Sequence, residues 1–370
     1  MLSIDVIIPS YRLMSEYLLP IVQMDIPQDA QVRFLIIADN PKGEIPKDVE
    51  ACIDNKKVIL FRNVENLGVC KTRNIGIDNA IADWLLFLDD DVVPSKNLLV
   101  AYANAIKANP NEAGFFGEVI YPSPVNSFTK GLRAADILTV FSVPKFRESF
   151  RWAPTANVLI KRTAIGDVRF QDFYPKSGSS EDVDFCLRVY RNSQKELRCV
   201  KEAPVYHDWW YNGKRNYTRF MRWNYGVAML LDIFPEYVYY TFPNVIESFV
   251  FGLPIVFIYC LYFHAFLPLL CAFIGIIVGE SAAEFLRLLR VKGLSGSMFV
   301  IEVVLIKGAN DLGRLIKQLG TGKIITGLCK RFDFFSDGKN IKPQRFWGGI
   351  KFTAYILTSL VLYLILCNHF

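Results

Sequence analysis

From Phe249 to Val278 the chain runs for thirty residues without a charged side chain, and the single histidine in that run is His264. A stretch so long and so apolar is held by lipid rather than by water. At about 1.5 Å per residue it would form a helix of about 45 Å, long for one crossing of an about 30 Å hydrocarbon layer and short for two. Residues 350–370 form a second apolar stretch, with Lys351 at its start. Between the two lie Arg287, Arg290, Lys292, Lys307, Arg314, Lys317, Lys323, Lys330, Arg331, Lys339, Lys342 and Arg345, a density of positive charge that places the segment on the cytoplasmic side. If the N-terminal part shares that side, the first stretch either crosses twice or dips in and out, and residues 262–268 are the expected turn of a tight hairpin. Residues 297–319 set apolar side chains beside Lys307, Arg314 and Lys317. That is the pattern of an amphipathic helix on an anionic leaflet, and equally of a helix packed against the cytosolic part.

The whole is too long for one core: 370 residues exceed the usual size of a single domain. Hydrophobic residues at 52% against 21% charged exclude a disordered chain. Forty-two Lys and Arg against 36 Asp and Glu is too even a balance to mark a nucleic-acid binder. The eight cysteines are scattered with no C-x-x-C pair, which argues for reduced, packed thiols and against zinc or a disulfide framework. Residues 1–10 are a short apolar run interrupted by Asp5, unlike a secretion leader, so a cytoplasmic catalytic part is expected.

Through residue 120, short β-rich runs at 4–8, 32–38, 58–61 and 84–88 alternate with longer mixed stretches, the pattern of an α/β sheet. Runs such as Phe34-Leu-Ile-Ile-Ala38 are apolar throughout, as strands buried on both faces of a parallel sheet are. Ligands bind beyond the carboxyl ends of such strands, and there the chain places Pro9-Ser10-Tyr11, Asp39-Asn40-Pro41 and Asp89-Asp90-Asp91. No G-x-G-x-x-G follows the first run and no G-x-x-x-x-G-K-[ST] occurs, so phosphate would be held another way.

Three adjacent carboxylates raise one another's pKa unless a cation compensates them. Magnesium or manganese suits oxygen donors and shares its coordination with substrate phosphates. The other reading is that Asp91 and Ser95 begin a helix over residues 94–109 as capping residues. Downstream, Glu181, Asp182 and Asp184 follow Ser179 and Ser180 at the start of an amphipathic helix. There they either complement the helix N-terminus or supply a carboxylate that accepts a proton from a hydroxyl nucleophile.

Four stretches occur in the order of a known family: Val6-Ile-Ile-Pro-Ser-Tyr11, Asn66-Leu-Gly-Val-Cys-Lys-Thr-Arg-Asn-Ile-Gly76, Leu88-Asp-Asp-Asp91 and Ser180-Glu-Asp-Val-Asp184. Over residues 3–210 the chain resembles the glycosyltransferase family 2 enzymes. The resemblance implies an α/β GT-A domain with a mainly parallel sheet, followed by C-terminal transmembrane helices, and sugar transfer with inversion. The expected divisions are a GT-A domain over 1–235, a membrane hairpin or re-entrant segment over 236–285, a basic cytoplasmic or interfacial segment over 286–349 and a C-terminal transmembrane helix over 350–370.

By the same resemblance Pro9, Tyr11 and Asp39 line the base and ribose of a nucleotide, Arg73 approaches the nucleotide, and Asp89, Asp90 and Asp91 match the D-x-D motif. Asp89 and Asp91 are the metal pair, with Asp90 able to replace either one at the ribose or the metal. Glu181 and Asp182 match the E-D motif, which makes Asp182 the general base and Glu181 its neighbour on the acceptor side. His207 resembles a histidine that follows that helix in many relatives and reaches the metal or diphosphate; a histidine bonded to backbone is the alternative. Trp209, Trp210 and Tyr211 either stack on an acceptor sugar or anchor the chain at a membrane interface. Arg219-Phe-Met-Arg222-Trp223 resembles the Q-x-x-R-W motif of processive polysaccharide synthases, but arginine stands in place of the glutamine. Arg219 and Arg222 are therefore expected on a diphosphate or a charged lipid headgroup, or as solvated helix charges.

The resemblance thus implies a Mg2+- or Mn2+-dependent hexosyltransferase, multi-pass in the inner or plasma membrane, with its catalytic domain in the cytoplasm. Its donor would be a nucleotide sugar, taken as a UDP-sugar, its acceptor a polyprenyl-linked saccharide destined for a surface polysaccharide, and its surroundings membrane lipid, with no nucleic acid. Transfer to polyprenyl monophosphate, a processive synthase, and a catalytically silent membrane scaffold are the alternatives.

Overall fold

The computed structural model describes residues 1–368 and divides into two compact units. The first comprises residues 1–123 and 138–212, the second residues 124–137 and 213 onward, so the chain passes between them three times.

Nine strands of the first unit form one sheet. β1 (Leu2–Ser10), β2 (Ala30–Ala38), β3 (Val58–Arg62) and β4 (Trp84–Phe87) pair in parallel in the order β3-β2-β1-β4. β5 (Val92–Pro94), β6 (Gly114–Ile120), β7 (Ser149–Phe150), β8 (Val158–Lys161) and β9 (Leu197–His207) extend it as β8-β6-β9-β5, with β7 also on β9. In this half the pairs are antiparallel except that of β6 with β9. Ile4, Val6, Ile7, Ile8 and every residue of Phe34-Leu-Ile-Ile-Ala38 are buried, the burial that their unbroken apolar runs demand. Asp5 interrupts the run and is buried as well. Its carboxylate accepts bonds from Arg33 Nε and Nη2 (2.8 and 2.7 Å) and from the backbone N–H groups of Ile81 and Ala82 (2.7 and 2.9 Å), so the buried charge is both paired and hydrogen-bonded.

Register positions the chemistry. Ser10 lies beside Ala38 and Ile7 beside Phe87, which brings Tyr11, Asp39 and residues 88–91 to one edge of the sheet. Val92 pairs with His207, setting the histidine next to Asp91. The reading of Asp91 as a helix cap is overturned: the chain enters β5 after Asp91, and the helix Leu98–Ala108 begins beyond it.

In the second unit β10 (Val238–Tyr240) and β11 (Lys330–Phe332) form an antiparallel pair, and helices make up most of the remainder. Three of them, Val245–Phe263, Leu267–Ser297 and Ile341–Cys367, are long and apolar enough to cross a membrane. A turn at residues 264–266, inside the expected window of 262–268, separates the first two, and His264 there has a φ of 50°. The second helix continues past Val278 to Ser297, and the last begins ahead of residue 350. Residues 286–349 are therefore several elements: the end of one helix, the helix Val300–Gly320, β11 and the start of another helix.

Small residues let Leu267–Ser297 and Ile341–Cys367 approach closely. A Cβ on Gly275 would stand 2.2 Å from Ser359 Oγ, and one on Gly279 2.8 Å from the Ala354 carbonyl carbon, the packing mode of lipid-borne helices. The two carboxylates in this pair are matched. Glu280 accepts from Lys351 Nζ at 2.5 Å and from the Tyr355 hydroxyl, and Glu284 from Lys307 Nζ at 2.7 Å and Arg287 Nε at 2.6 Å, as ionisable groups within apolar helices require. All eight cysteines, each within the described residues, are free thiols.

In the first unit the helix Val69–Asp78 rests on β1 at Gly76, where a Cβ would meet Ile7 Cγ2 at 2.4 Å. Gly76→Ala is expected to cost about 1–3 kcal/mol through overpacking. The check is a lowered unfolding temperature of the full chain in detergent, with a double variant that adds Ile7→Ala, which removes the Cγ2 methyl, losing less than the sum of the two single losses.

Candidate active site

Asp39 closes β2 and ties down the loop that follows β3. Its Oδ1 accepts from Asn63 Nδ2 and the Leu67 N–H, each at 2.8 Å, and its Oδ2 from the Gly68 N–H at 2.9 Å. Gly68 has a φ of 84°, and a Cβ there would stand 2.8 Å from Lys176 Cα, so only glycine fits. The helix Val69–Asp78 starts at the next residue and carries Arg73 on its second turn.

Arg73 is buried and reaches two elements at once. Nη1 donates to Glu181 Oε1 and Nη2 to Asp89 Oδ1, both at 2.8 Å. Its guanidinium lies over the Phe170 ring at 5.3 Å, and that ring stacks on Phe185 at 3.9 Å. Burial works against the charge on Arg73, but Asp89 and Glu181 outweigh it and hold the pKa above the usual arginine value. The two acidic stretches thus converge on one cation.

The three aspartates point three ways. Asp89 takes Arg73. Asp90 turns inward: its Oδ2 accepts from Ser10 Oγ (2.9 Å) and from the N–H groups of Tyr11 (3.1 Å) and Arg12 (3.0 Å), and its Oδ1 from the Arg12 guanidinium. Asp91 accepts from Arg12 Nη2 at 2.9 Å through Oδ2 and turns Oδ1 toward His207 Nε2 at 3.4 Å. Burial pushes Asp89 and Asp90 up, with Arg73 and Arg12 pulling them back. Two arginines therefore supply compensation that the sequence reading assigned to a metal alone. Arg12 went unremarked there; its signal was an arginine at the carboxyl end of β1, on the edge that gathers the aspartates. Pro9 is buried within β1, whereas Tyr11 beyond it is exposed, with its carbonyl accepting from Asn40 Nδ2 at 3.3 Å.

His207 closes this edge. Its Nδ1 faces the Asp208 carbonyl at 2.5 Å, and its Nε2 accepts from the Trp210 indole at 3.1 Å. The Nδ1 contact with a carbonyl suits a proton on Nδ1, and the Nε2 lone pair is then taken up by the Trp210 indole N–H, with Asp91 Oδ1 next to it. Burial would lower the pKa of His207, but Asp91 raises it above the usual value; protonation of Nε2, or a metal ion there, would have to displace the Trp210 bond. Tyr121 stacks on His207 at 5.0 Å and on Trp209 at 5.3 Å, and lies 5.1 Å from Trp210. Trp209 is a buried wall of this box, its indole N–H bonded to the Ser123 carbonyl at 3.1 Å, while Tyr211 is exposed. Among the described residues no three His, Cys, Asp or Glu side chains already surround a common point.

At the start of the helix Glu181–Ser193, Glu181 also accepts from the Ser179 N–H, which leaves it fixed at both carboxylate oxygens. Asp182, next to it, is tied to the Val183 N–H at 2.8 Å. Burial first, and the charge of Glu181 second, push Asp182 up to about 7, the range suited to a general base at neutral pH. The remaining sequence-predicted residues are not in this unit: Arg219 and Arg222 lie on the helix Thr218–Ile233 of the second unit.

Residues 5–172 match the family model described as Glycosyl transferase family 2. The match spans a little less than half of the chain. The amylovoran biosynthesis glycosyltransferase AmsB of Erwinia amylovora is 24% identical over 216 residues, covering 56% of this chain and 70% of that protein. The succinoglycan biosynthesis protein ExoM of Rhizobium meliloti is 27% identical over 197 residues, covering 50% and 60%. The chain spans less than half the length of the relatives it matches in Haemophilus influenzae and Rickettsia felis. Among solved structures, S. aureus TarS 1–349 is 14% identical with a TM-score of 0.42, covering 87% of this chain and 92% of that one. The matched residues include the four parallel strands and the acidic loop after β4; the helix Glu181–Ser193 follows them.

Removing the first unit's central cation should be costly. Arg73→Met would leave Asp89 and Glu181 without their shared partner, and the expected loss is about 3–5 kcal/mol. Thermal unfolding of the purified chain measures it, and Arg73→Lys, which keeps one donor group, should lose less.

Proposed function

We propose that the protein is an inverting glycosyltransferase that moves a sugar from a nucleotide donor, a UDP-sugar, to a polyprenyl-linked saccharide at the cytoplasmic face of a membrane. The observation that carries this reading is Arg73, whose two bonds hold the D-D-D loop and the E-D helix in one site. The names of AmsB and ExoM, both of polymer biosynthesis, support the class of product. The three apolar helices support the lipid-linked acceptor, since an acceptor confined to the leaflet meets an anchored site at high effective concentration.

In this reading the base and ribose lie along the edge made by Pro9, Tyr11 and the loop tied to Asp39, with Asp90 holding that edge in place. Asp91, with Asp89 near it, would offer the oxygen donors that suit Mg2+ or Mn2+, and His207 would add Nε2 only by giving up its bond from the Trp210 indole. Such an ion would neutralise the charge that develops on the departing diphosphate. Asp182 takes the proton from the acceptor hydroxyl, and the freed oxygen attacks the anomeric carbon on the face opposite the diphosphate, inverting configuration. Glu181 does not take that proton: bound by Arg73 and the Ser179 N–H, it holds the helix start that presents Asp182. Trp210 and Tyr211 supply ring faces for the acceptor sugar.

Asp182→Asn is expected to lower transfer about 10²–10⁴-fold, the usual worth of a general base, with nucleotide binding by calorimetry unchanged. Asp91→Ala should weaken both transfer and Mn2+-dependent nucleotide binding, as should a chelator. Because the base must be ionised, kcat/KM should rise about tenfold per pH unit below the Asp182 pKa of about 7 and level above it. Wild-type turnover in Asp182→Asn, or a flat profile from pH 5 to 8, would exclude Asp182 as the base.

A further inference from the structure

The helix Val300–Gly320 distributes its side chains opposite to a helix facing water. Its buried residues include Glu302, Val303, Ile306, Gly313, Arg314 and Leu315. This face packs within the second unit: a Cβ on Gly313 would lie 1.8 Å from the Met221 carbonyl oxygen, and Glu302 accepts from Arg215 Nε at 3.0 Å and from the Tyr217 hydroxyl at 3.1 Å. The outward face is the apolar one. Ile301, Leu305, Ile316 and Leu319 are 70%, 49%, 42% and 55% exposed. Gly308 and Leu312 continue the row between them, because steps of three and four residues keep one helix face. The row is uncharged for about 27 Å, whereas a surface helix turns its polar side outward.

Charge and continuity identify what covers it. Residues 286–349 hold twelve Lys and Arg against four Asp and Glu, and Arg290, Lys292 and Lys323, which bracket the helix, are exposed, Lys292 pairing with Asp136 at 2.7 Å and Lys323 with Asp232 at 2.9 Å at the surface. Exposed Val291, Leu294 and Met298 carry the apolar surface back into Leu267–Ser297, one of the three helices long and apolar enough to cross a membrane. An apolar row with basic flanks, continuous with such a helix, matches a bilayer that carries negative headgroups. A second copy of this chain would bring the same positive charge and be repelled.

We propose that Val300–Gly320 lies in the plane of an anionic leaflet, with the row from Ile301 to Leu319 at the acyl boundary and the basic flank at Arg290 facing lipid phosphates. The proposal rests on the membrane part of the functional reading and is independent of the transferase chemistry.

The test uses the full chain in nanodiscs of phosphatidylcholine and phosphatidylglycerol, with accessible cysteines replaced by serine and one spin label at a time at positions 301, 305, 312, 316 and 319. Oxygen and nickel accessibilities give the depth of each label. The expected result is one common depth just below the phosphates, becoming shallower when phosphatidylglycerol is omitted. Depth increasing steadily along the helix would make it a spanning segment and overturn the proposal, as would spin–spin broadening between copies or indifference to the anionic lipid. Labels at Ile258→Cys and Leu357→Cys separate the two readings. If they report lipid while 301–319 report water, the in-plane helix alone fails; if all report water, the membrane reading fails with it.

Discussion

A single buried guanidinium organises the sheet unit. Arg73 lies between Asp89 and Glu181, and the buried charges of Arg73 and Glu181 would not be tolerated at that depth without each other, while Asp89 is part-exposed. Because an arginine keeps its proton at any physiological pH, the span between the two acidic elements is the same whatever the state of their neighbours. Asp182 lies one residue beyond this clamp. It shares the burial and the field of Glu181 but not the ion pair with Arg73, and this difference separates a carboxylate that holds from one poised to exchange a proton.

Much of the sheet was legible in the amino-acid order, since strands buried on both faces leave unbroken apolar runs, and 4–8, 32–38, 58–61 and 84–88 lie along β1 to β4. The partition of the three aspartates was not. Consecutive residues leaving a strand share no periodicity, so only the chains around them decide which way each turns: Arg73 for Asp89, the backbone after β1 for Asp90, Arg12 and His207 for Asp91. β5 was missed for a related reason. Three residues ending in a proline carry no pattern of their own, and pairing with β9 makes them a strand. The E-D pair was visible as a motif, but its division of labour depends on the long-range contact with Arg73.

The helical unit shows the limit of counting apolar residues. The uncharged thirty-residue stretch is two helices and a turn, and the second continues through Glu280 and Glu284 because Lys351, Lys307, Arg287 and Tyr355 meet those carboxylates from other positions in the fold. A window of hydropathy ends at the first charge, whereas the helix ends where its hydrogen-bond ladder does. The same partnering explains why so basic a segment does not behave as one loop.

The threefold passage of the chain between its units has a practical side. A protease cut or a stop codon after residue 212 would carry residues 124–137 along with the catalytic half and strip Phe128 of Tyr217 and Phe220, whose rings it meets at 5.6 and 6.3 Å. The liberated fragment would expose a greasy strap torn from its bed and tend to clump. Evolution meets the same obstacle: the halves are stitched rather than strung, so neither can be shuffled into another gene as an intact module by a single crossover.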